Sequence, residues 1–478
     1  MKHHCARIAW CALLLSSAAL FAADGPIRYD IELQQLNSVS VSLAVPFAPE
    51  RLYMSTGGTG SNDGFAGFVR DLRATCGDQA IVYTRAGAEW LSPSAATGPC
   101  TISYRVDLSF TRAKWEAGNE QAGYADGRGV FLSSKAVFIE TPLSGRRTVR
   151  FHVKPGWRFV SPWTGTADGT LDFGREGMLQ DIFAFGDLDE HSSSTALFRT
   201  RLVTFGALRK DTVEVGRMLD RVTRIYSGIF PETPSSSYVV VLLPGDEADG
   251  ESYANGFAST LRPPLKGDDK IVWADTIAHE IFHHWCGGLI KTEDHGEMEW
   301  FTEGFTEYFA NLALIRSHEI STADFLQKVA INIGQYEYFL NSSLFRDVTI
   351  EKAGQQKGRN RFGVYASGWV MAFVLDQEIR KKSGGAKSLE DVMREALKRS
   401  HQSLTPTALL EIVAQVGAPE IAELIHRGIS TRESIQPESY LPALGLTIIG
   451  QDYQGEYYVH LDNSNAGNRK RRSAWAGF

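Results

Sequence analysis

The sequence predicts an α+β protein with a β-rich N-terminal unit, a mixed α/β middle and a helical C-terminal part. Three observations predict it. From residue 29 to about 162, apolar and polar residues alternate in short runs such as Val39-Ser40-Val41-Ser42-Leu43-Ala44-Val45 and Thr101-Ile102-Ser103-Tyr104-Arg105-Val106-Asp107-Leu108, broken often by Gly and Pro. Period two with such breaks is the signature of strands. Next, 215–230 reads as a helix and Ser237-Tyr238-Val239-Val240-Val241-Leu242-Leu243 as a buried strand ending at Pro244-Gly245, the mixture expected at the entry to an α/β unit. Beyond Trp273 helical patterns prevail, over 303–316, 367–382, 389–399 and 406–416. No repeat, heptad run or low-complexity linker interrupts these patterns.

A chain of 478 residues exceeds what one hydrophobic core usually serves, so several packed units are expected. Apolar residues make up 43 % and charged residues 22 %, which places the chain among folded globular proteins. The start, Met1-Lys2-His3-His4-Cys5-Ala6-Arg7, is basic; an apolar run follows from Ile8 to Phe21, then Ala22 and Ala23. This reads as a secretory signal peptide, too short for the roughly 20 apolar residues of a spanning helix, so the mature chain is expected to be exported, periplasmic or secreted, and not integral to a membrane. Loss of Lys2 and Arg7 leaves it more acidic than the formal −7 of the full sequence, which argues against nucleic acid as a partner. The Arg469-Lys470-Arg471-Arg472 cluster is read as a solvated tail. In an oxidising compartment Cys76 and Cys100 are expected to pair locally, leaving Cys286 a buried bystander. The predicted units are a signal peptide (1–23), a β-rich unit (24–175), a catalytic unit (176–320), a helical unit (321–440) and a short tail (441–478).

The run with chemical content is Ala278-His279-Glu280-Ile281-Phe282-His283-His284-Trp285. Residues four apart on a helix share a face, so His279 and His283 can reach one cation, with Glu280 beside it but not bound. Zinc at such a site takes three protein ligands and leaves a fourth position for water. The third ligand is read as Glu303, in Trp300-Phe301-Thr302-Glu303-Gly304-Phe305-Thr306-Glu307-Tyr308, at the start of a second helix. Glu307, one turn on, is the alternative ligand, or a carboxylate that holds one histidine in its metal-binding tautomer. His284 is expected to face away from the pair, and Glu293, Asp294, His295, Glu297 and Glu299 to lie in a polar, mostly solvated connection.

These two motifs resemble the gluzincin aminopeptidases, zinc peptidases that pair HExxH with a downstream glutamate in a W-x-x-E-G-F setting. The aminopeptidase N family usually has eighteen residues between the second histidine and the glutamate; this chain has nineteen. The glycyl aminopeptidase family is more similar downstream, through Tyr365-Ala366-Ser367-Gly368, Leu375-Asp376-Gln377-Glu378-Ile379-Arg380, Ser383-Gly384-Gly385 and Ser388-Leu389-Glu390-Asp391-Val392-Met393-Arg394. The resemblance implies a saddle-like β domain, a thermolysin-like catalytic domain and a helical domain, often followed by a PDZ domain for which 441–478 is too short. It also implies a catalytic tyrosine, matched by Tyr365, that donates to the oxyanion of the tetrahedral intermediate, although the lysine of that motif is replaced by Ser367. The family's amine-binding glutamate is missing from Gly250-Glu251-Ser252-Tyr253-Ala254-Asn255-Gly256-Phe257. Glu251 is an alternative anchor, and Asn255, Gly256 and Phe257 are read as an edge strand that pairs with an extended peptide. The expected activity is hydrolysis of peptide or protein substrates with one zinc ion. Strict aminopeptidase action, endopeptidase action or hydrolysis of blocked peptides, and noncatalytic peptide binding on a peptidase fold all stay open. Preferred side chain and oligomeric state are not legible.

Overall fold

The computed structural model describes residues 25–478 apart from 58–61, 111–114, 116–117, 166–168, 174–176, 234, 247–248, 266–269, 294 and 452–456. The expected signal peptide, 1–23, lies outside the described residues, as does Asp294.

The N-terminal part is β-rich, as the alternation predicts. Its largest sheet has seven strands in the order Thr170–Phe173, Arg147–Val153, Ile27–Leu33, Ser38–Val45, Cys100–Asp107, Val69–Cys76, Gln79–Ile81. The period-two pattern puts Val39, Val41, Leu43 and Val45 on a buried face, where they join Ile102, Tyr104 and Val106 in one core. Cys76 and Cys100 stand opposite each other in register and form a disulfide.

A five-stranded sheet follows, in the order Asp189–Ser194, Arg199–Thr204, Ser237–Pro244, Gly256–Leu261, Asp249–Tyr253. Its central strand, Ser237–Pro244, is buried on both faces from Tyr238 to Leu243, which explains its unbroken apolar sequence. Helices follow in chain order: α1 (Thr212–Ile229), α2 (Lys270–Phe282), α3 (His295–Arg316), α4 (Thr322–Asn341), α5 (Ile350–Ala353), α6 (Ser367–Lys382), α7 (Leu389–Lys398), α8 (Pro406–Val416), α9 (Pro419–Ser430) and α10 (Ala466–Ala476). One core runs from α1 and the sheet through α2 and α3 to α9. The architecture is α+β, with a β-rich N-terminal region and a helical C-terminal part.

Glycines set how closely α3 and α6 cross. A Cβ added to Gly304 would lie 2.3 Å from Gly368 Cα, and one at Gly368 would lie 2.1 Å from Trp300 carbonyl oxygen. Any larger residue at either position forces the helices apart, which accounts for the glycine after Glu303 and the one after Ser367.

Two expectations about the C-terminal part need correction. Residues beyond 440 are packed structure: a hairpin of Leu446–Gln451 and Tyr457–Leu461 precedes α10, and Trp475, fully buried, donates from Nε1 to Tyr308 Oη at 2.8 Å. Arg472 is 1 % exposed and caps the Leu444 carbonyl at 2.7 Å. A basic run reads as solvated by charge alone, but a helix of arginines can bury one guanidinium if carbonyls at loop ends await a donor. Among the described residues no helix is long and apolar enough to cross a membrane.

Candidate metal centre and peptide cleft

Helix α2 buries Trp273, Ile277, Ala278 and Ile281 against the core, and this apolar stripe turns His279 and His283 toward α3. His283 lies just past the end of α2, yet its N–H still donates to the His279 carbonyl at 3.4 Å, so the helical spacing holds across the boundary. Gly287, at φ +111°, allows the turn that follows.

His279, His283 and Glu303 converge, with one ligand atom from each lying within 4.8 Å of the others. Glu303 Oε2 is 3.0 Å from His279 Nε2 and 3.5 Å from His283 Nε2, and the two Nε2 atoms are 3.1 Å apart. Each imidazole has a partner at its other nitrogen. His283 Nδ1 lies 3.0 Å from the Cys286 carbonyl, and His279 Nδ1 lies 3.1 Å from Glu307 Oε2. With both Nδ1–H groups donating outward, three lone pairs face one another, an arrangement that a metal cation or a shared proton satisfies. Two imidazoles and one carboxylate suit zinc. The electrostatics carry the same demand. Burial disfavours the imidazolium of His279, but Glu303 and Glu307 outweigh it and raise its proton affinity well above that of an ordinary histidine. Burial alone would raise the Glu303 carboxyl, yet His283 and His279 hold it well below the usual carboxylate range.

Glu307 meets His279 Nδ1, as one of its two readings expects, and behind it stands a polar relay that sequence reasoning missed. Asn311 Nδ2 bridges Glu307 Oε1 at 3.2 Å and Asp275 Oδ1 at 2.7 Å, while Lys328 pairs with Asp275. Trp369 Nε1 donates to Asn311 Oδ1 at 3.1 Å. Burial and the Glu307 charge push Asp275 up to about 6. Glu307, despite burial, is held at about 2 by its contacts with His279 and Lys328. Asp275 lies four residues before His279 and Asn311 four after Glu307, so helical spacing was the available signal; Lys328 offers none.

Glu280 faces the cleft and accepts from Ser252 Oγ at 2.6 Å. Tyr365 occupies a π-helical turn, Phe362–Ala366, that runs directly into α6. Its ring centroid is 6.0 Å from that of His279, and Lys357 and Arg361 place cations 5.5 and 5.3 Å from its ring. Burial and the Glu303 charge raise the phenol well above its ordinary value, which keeps it a proton donor. Ser367 is buried and bonds back to the Phe362 carbonyl. Ser252, Glu280, Lys357 and Tyr365 line a cleft of about 640 Å³ together with Gln180, Ala254, Asn255, Lys291, Glu299 and Thr302.

The edge strand is not the one expected. Asp249–Tyr253 forms the sheet edge, and Gly256–Leu261 lies inside it. Gly256 and Phe257 are buried, and Asn255 is turned to Asp181, which its backbone N and Nδ2 both reach at 2.9 Å. The chain folds the earlier strand to the outside, a topology that local pattern does not reveal. Along the edge, Gly250 and Ser252 face Glu280, and a Cβ at Gly250 would come within 2.9 Å of Glu280 Oε1. Alternation puts Glu251 on the opposite face, paired with Lys135 at 2.8 Å. The expected alternative amine anchor therefore points away from the cleft.

His284 faces away from the pair, as spacing predicts, but it is buried and bonded to Thr233 Oγ1 at 2.7 Å, and burial depresses it to about 3. Glu299 is no solvated linker residue: α3 begins at His295, and Glu299 lines the cleft in an ion pair with Lys357 at 3.0 Å. Cys286 is buried, and burial pushes its thiol up to about 12, the profile of an inert cysteine.

Residues 272–356 match the M61 glycyl aminopeptidase family. No curated protein matches the chain. Among solved structures, an aminopeptidase N family protein from Idiomarina loihiensis is similar at 18 % identity and a TM-score of 0.70, over 89 % of this chain and 79 % of that one. An M1 zinc metallopeptidase mutant from Deinococcus radiodurans, bound to a Tyr-Ser-Ala substrate, is similar at 15 % identity and a TM-score of 0.51, over 86 % of this chain and 94 % of that one. The chain thus joins a segment similar to the M61 glycyl aminopeptidases to a fold that it shares with M1 metallopeptidases, a combination consistent with a gluzincin peptidase.

Proposed function

We propose that this chain is a zinc-dependent peptidase in which His279, His283 and Glu303 hold the metal. The observation that carries this reading is the convergence of those three side chains, with both Nδ1 atoms engaged elsewhere, beside a carboxylate that does not join them. Zinc, when bound there, polarises a scissile carbonyl and lowers the pKa of water. Glu280 takes a proton from the attacking water and later delivers it to the leaving amine. Ser252 holds one Glu280 oxygen by its 2.6 Å hydrogen bond, leaving the other free to accept. Tyr365 donates its phenolic proton in a hydrogen bond to the oxyanion, where negative charge develops. An extended substrate pairs with the free edge of Asp249–Tyr253.

Resemblance favours aminopeptidase action, but one observation favours an endopeptidase or a hydrolase of blocked peptides. Among the described residues, the acids lining the cleft are Glu280, Glu299 and Glu303. One is the base, one is a ligand, and Glu299 is engaged by Lys357. None of these three is free to receive a substrate ammonium; Asp249, at the start of the edge strand, lines the adjoining pocket beside Glu280 and Tyr365 and is the remaining candidate. Comparing a peptide with its N-acetylated twin separates the readings. Equal or better turnover of the acetylated peptide supports the second; strong preference for the free amine supports the first. Noncatalytic peptide binding is disfavoured by Glu280, which a binding site does not need. Export to the periplasm or medium is supported by the basic and apolar start and by the Cys76–Cys100 disulfide.

A further inference from the structure

Resting on the zinc-peptidase reading, we infer that Lys357 is a positioning residue that keeps Glu303 a one-oxygen ligand and so preserves an open coordination position. A carboxylate can bind a metal through one oxygen or both, and a catalytic zinc site with three protein ligands has room for substrate only if one of them does not double its contacts. In this chain the two oxygens of Glu303 have different neighbours. Oε2 faces the Nε2 atoms of His279 and His283, and Oε1 accepts from Lys357 Nζ at 2.5 Å.

Lys357 is itself held in place. It pairs at 3.0 Å with Glu299, one turn before Glu303 on α3. The turn that carries it approaches α3 at Gly354, where a Cβ would lie 2.4 Å from the Gly296 carbonyl oxygen. Its charge has the wrong sign to attract a cation, so raising metal affinity is not its role. Removing it leaves more negative charge near the ligands and frees Oε1 to bind.

The test uses Lys357→Met, Lys357→Arg and the parent chain, each loaded with zinc for kinetics and with cobalt(II) for visible spectroscopy. Lys357→Gln serves as a second neutral variant if the methionine fails to fold. The neutral variant is expected to retain a full equivalent of metal. Its cobalt absorption drops several-fold as coordination rises above four, kcat falls about tenfold or more with KM little changed, and Lys357→Arg recovers both. A cobalt spectrum unchanged from the parent overturns the inference, whatever happens to kcat. If the parent chain takes up no metal, the zinc-peptidase reading itself fails, and this inference with it; a parent that binds metal normally beside an unchanged variant spectrum sinks only the role of Lys357.

Discussion

At the scale of single residues, the groups proposed to hold the metal are distinct from those proposed to use it. Glu280→Gln keeps the shape of the side chain and leaves the ligands intact, so zinc content should match the parent while kcat drops by about 10²-fold or more, the usual worth of a positioned base. Full turnover in that variant removes the assigned base. Glu307→Gln should act differently, because it weakens the hydrogen bond at His279 Nδ1. Zinc affinity, measured by competition with a chelator, should fall about 10- to 100-fold, and an unchanged affinity contradicts the orienting role. The two histidines and Glu280 were legible in the sequence because their geometry is local to one helix. Glu303 was legible through its motif. Lys328 and Lys357 were not, since Lys328 meets Asp275 across 53 residues and Lys357 meets Glu303 across 54, tertiary contacts that no local pattern encodes.

Secondary-structure elements determine whether those residues meet. Helix α2, the turn just past its end and helix α3 supply the proposed metal ligands His279, His283 and Glu303, and the turn before α6 supplies Tyr365. The crossing of α3 with α6 depends on the glycines at 304 and 368. Gly304→Ala places a methyl 2.3 Å from Gly368 Cα, backbone that has no rotamer to yield, so a stability loss of about 1–3 kcal/mol is expected by chemical denaturation. Activity should fall with it, because Glu303 precedes the displaced residue. A variant as stable and active as the parent means that the helices do not meet there. The alternation and the apolar run of Ser237–Pro244 made the strands visible, and the 3.6-residue periods made the later helices visible. Sheet order was not visible. Asp249–Tyr253 and Gly256–Leu261 are short consecutive strands, and the parallel register of Gly256–Leu261 with Ser237–Pro244 puts the more polar Asp249–Tyr253 outside. That one non-local pairing moves the sheet edge, and with it the proposed peptide-binding strand, from Asn255, Gly256 and Phe257 to Asp249–Tyr253.

For the molecule as a whole, the N-terminal sheet and the C-terminal segment depend on constraints of different kinds. The N-terminal sheet carries the disulfide, with 24 residues of sequence separation, so replacing both cysteines by serine should cost about 3 kcal/mol of that region's stability. Thermal unfolding should show the lower transition belonging to strand signal, and an unaltered melt rules out a contribution from the disulfide. Basic clustering at 469–472 misled the sequence reading of the last segment, because what distinguishes Arg472 is three-dimensional: the Leu444 carbonyl waits at a loop end for its guanidinium.

The most direct test of the central claim is zinc stoichiometry by elemental analysis of the purified parent, Glu280→Gln and Glu303→Ala chains. One zinc per chain is predicted for the first two and far less for the third. An equal, full equivalent in Glu303→Ala, or none in the parent, contradicts the account.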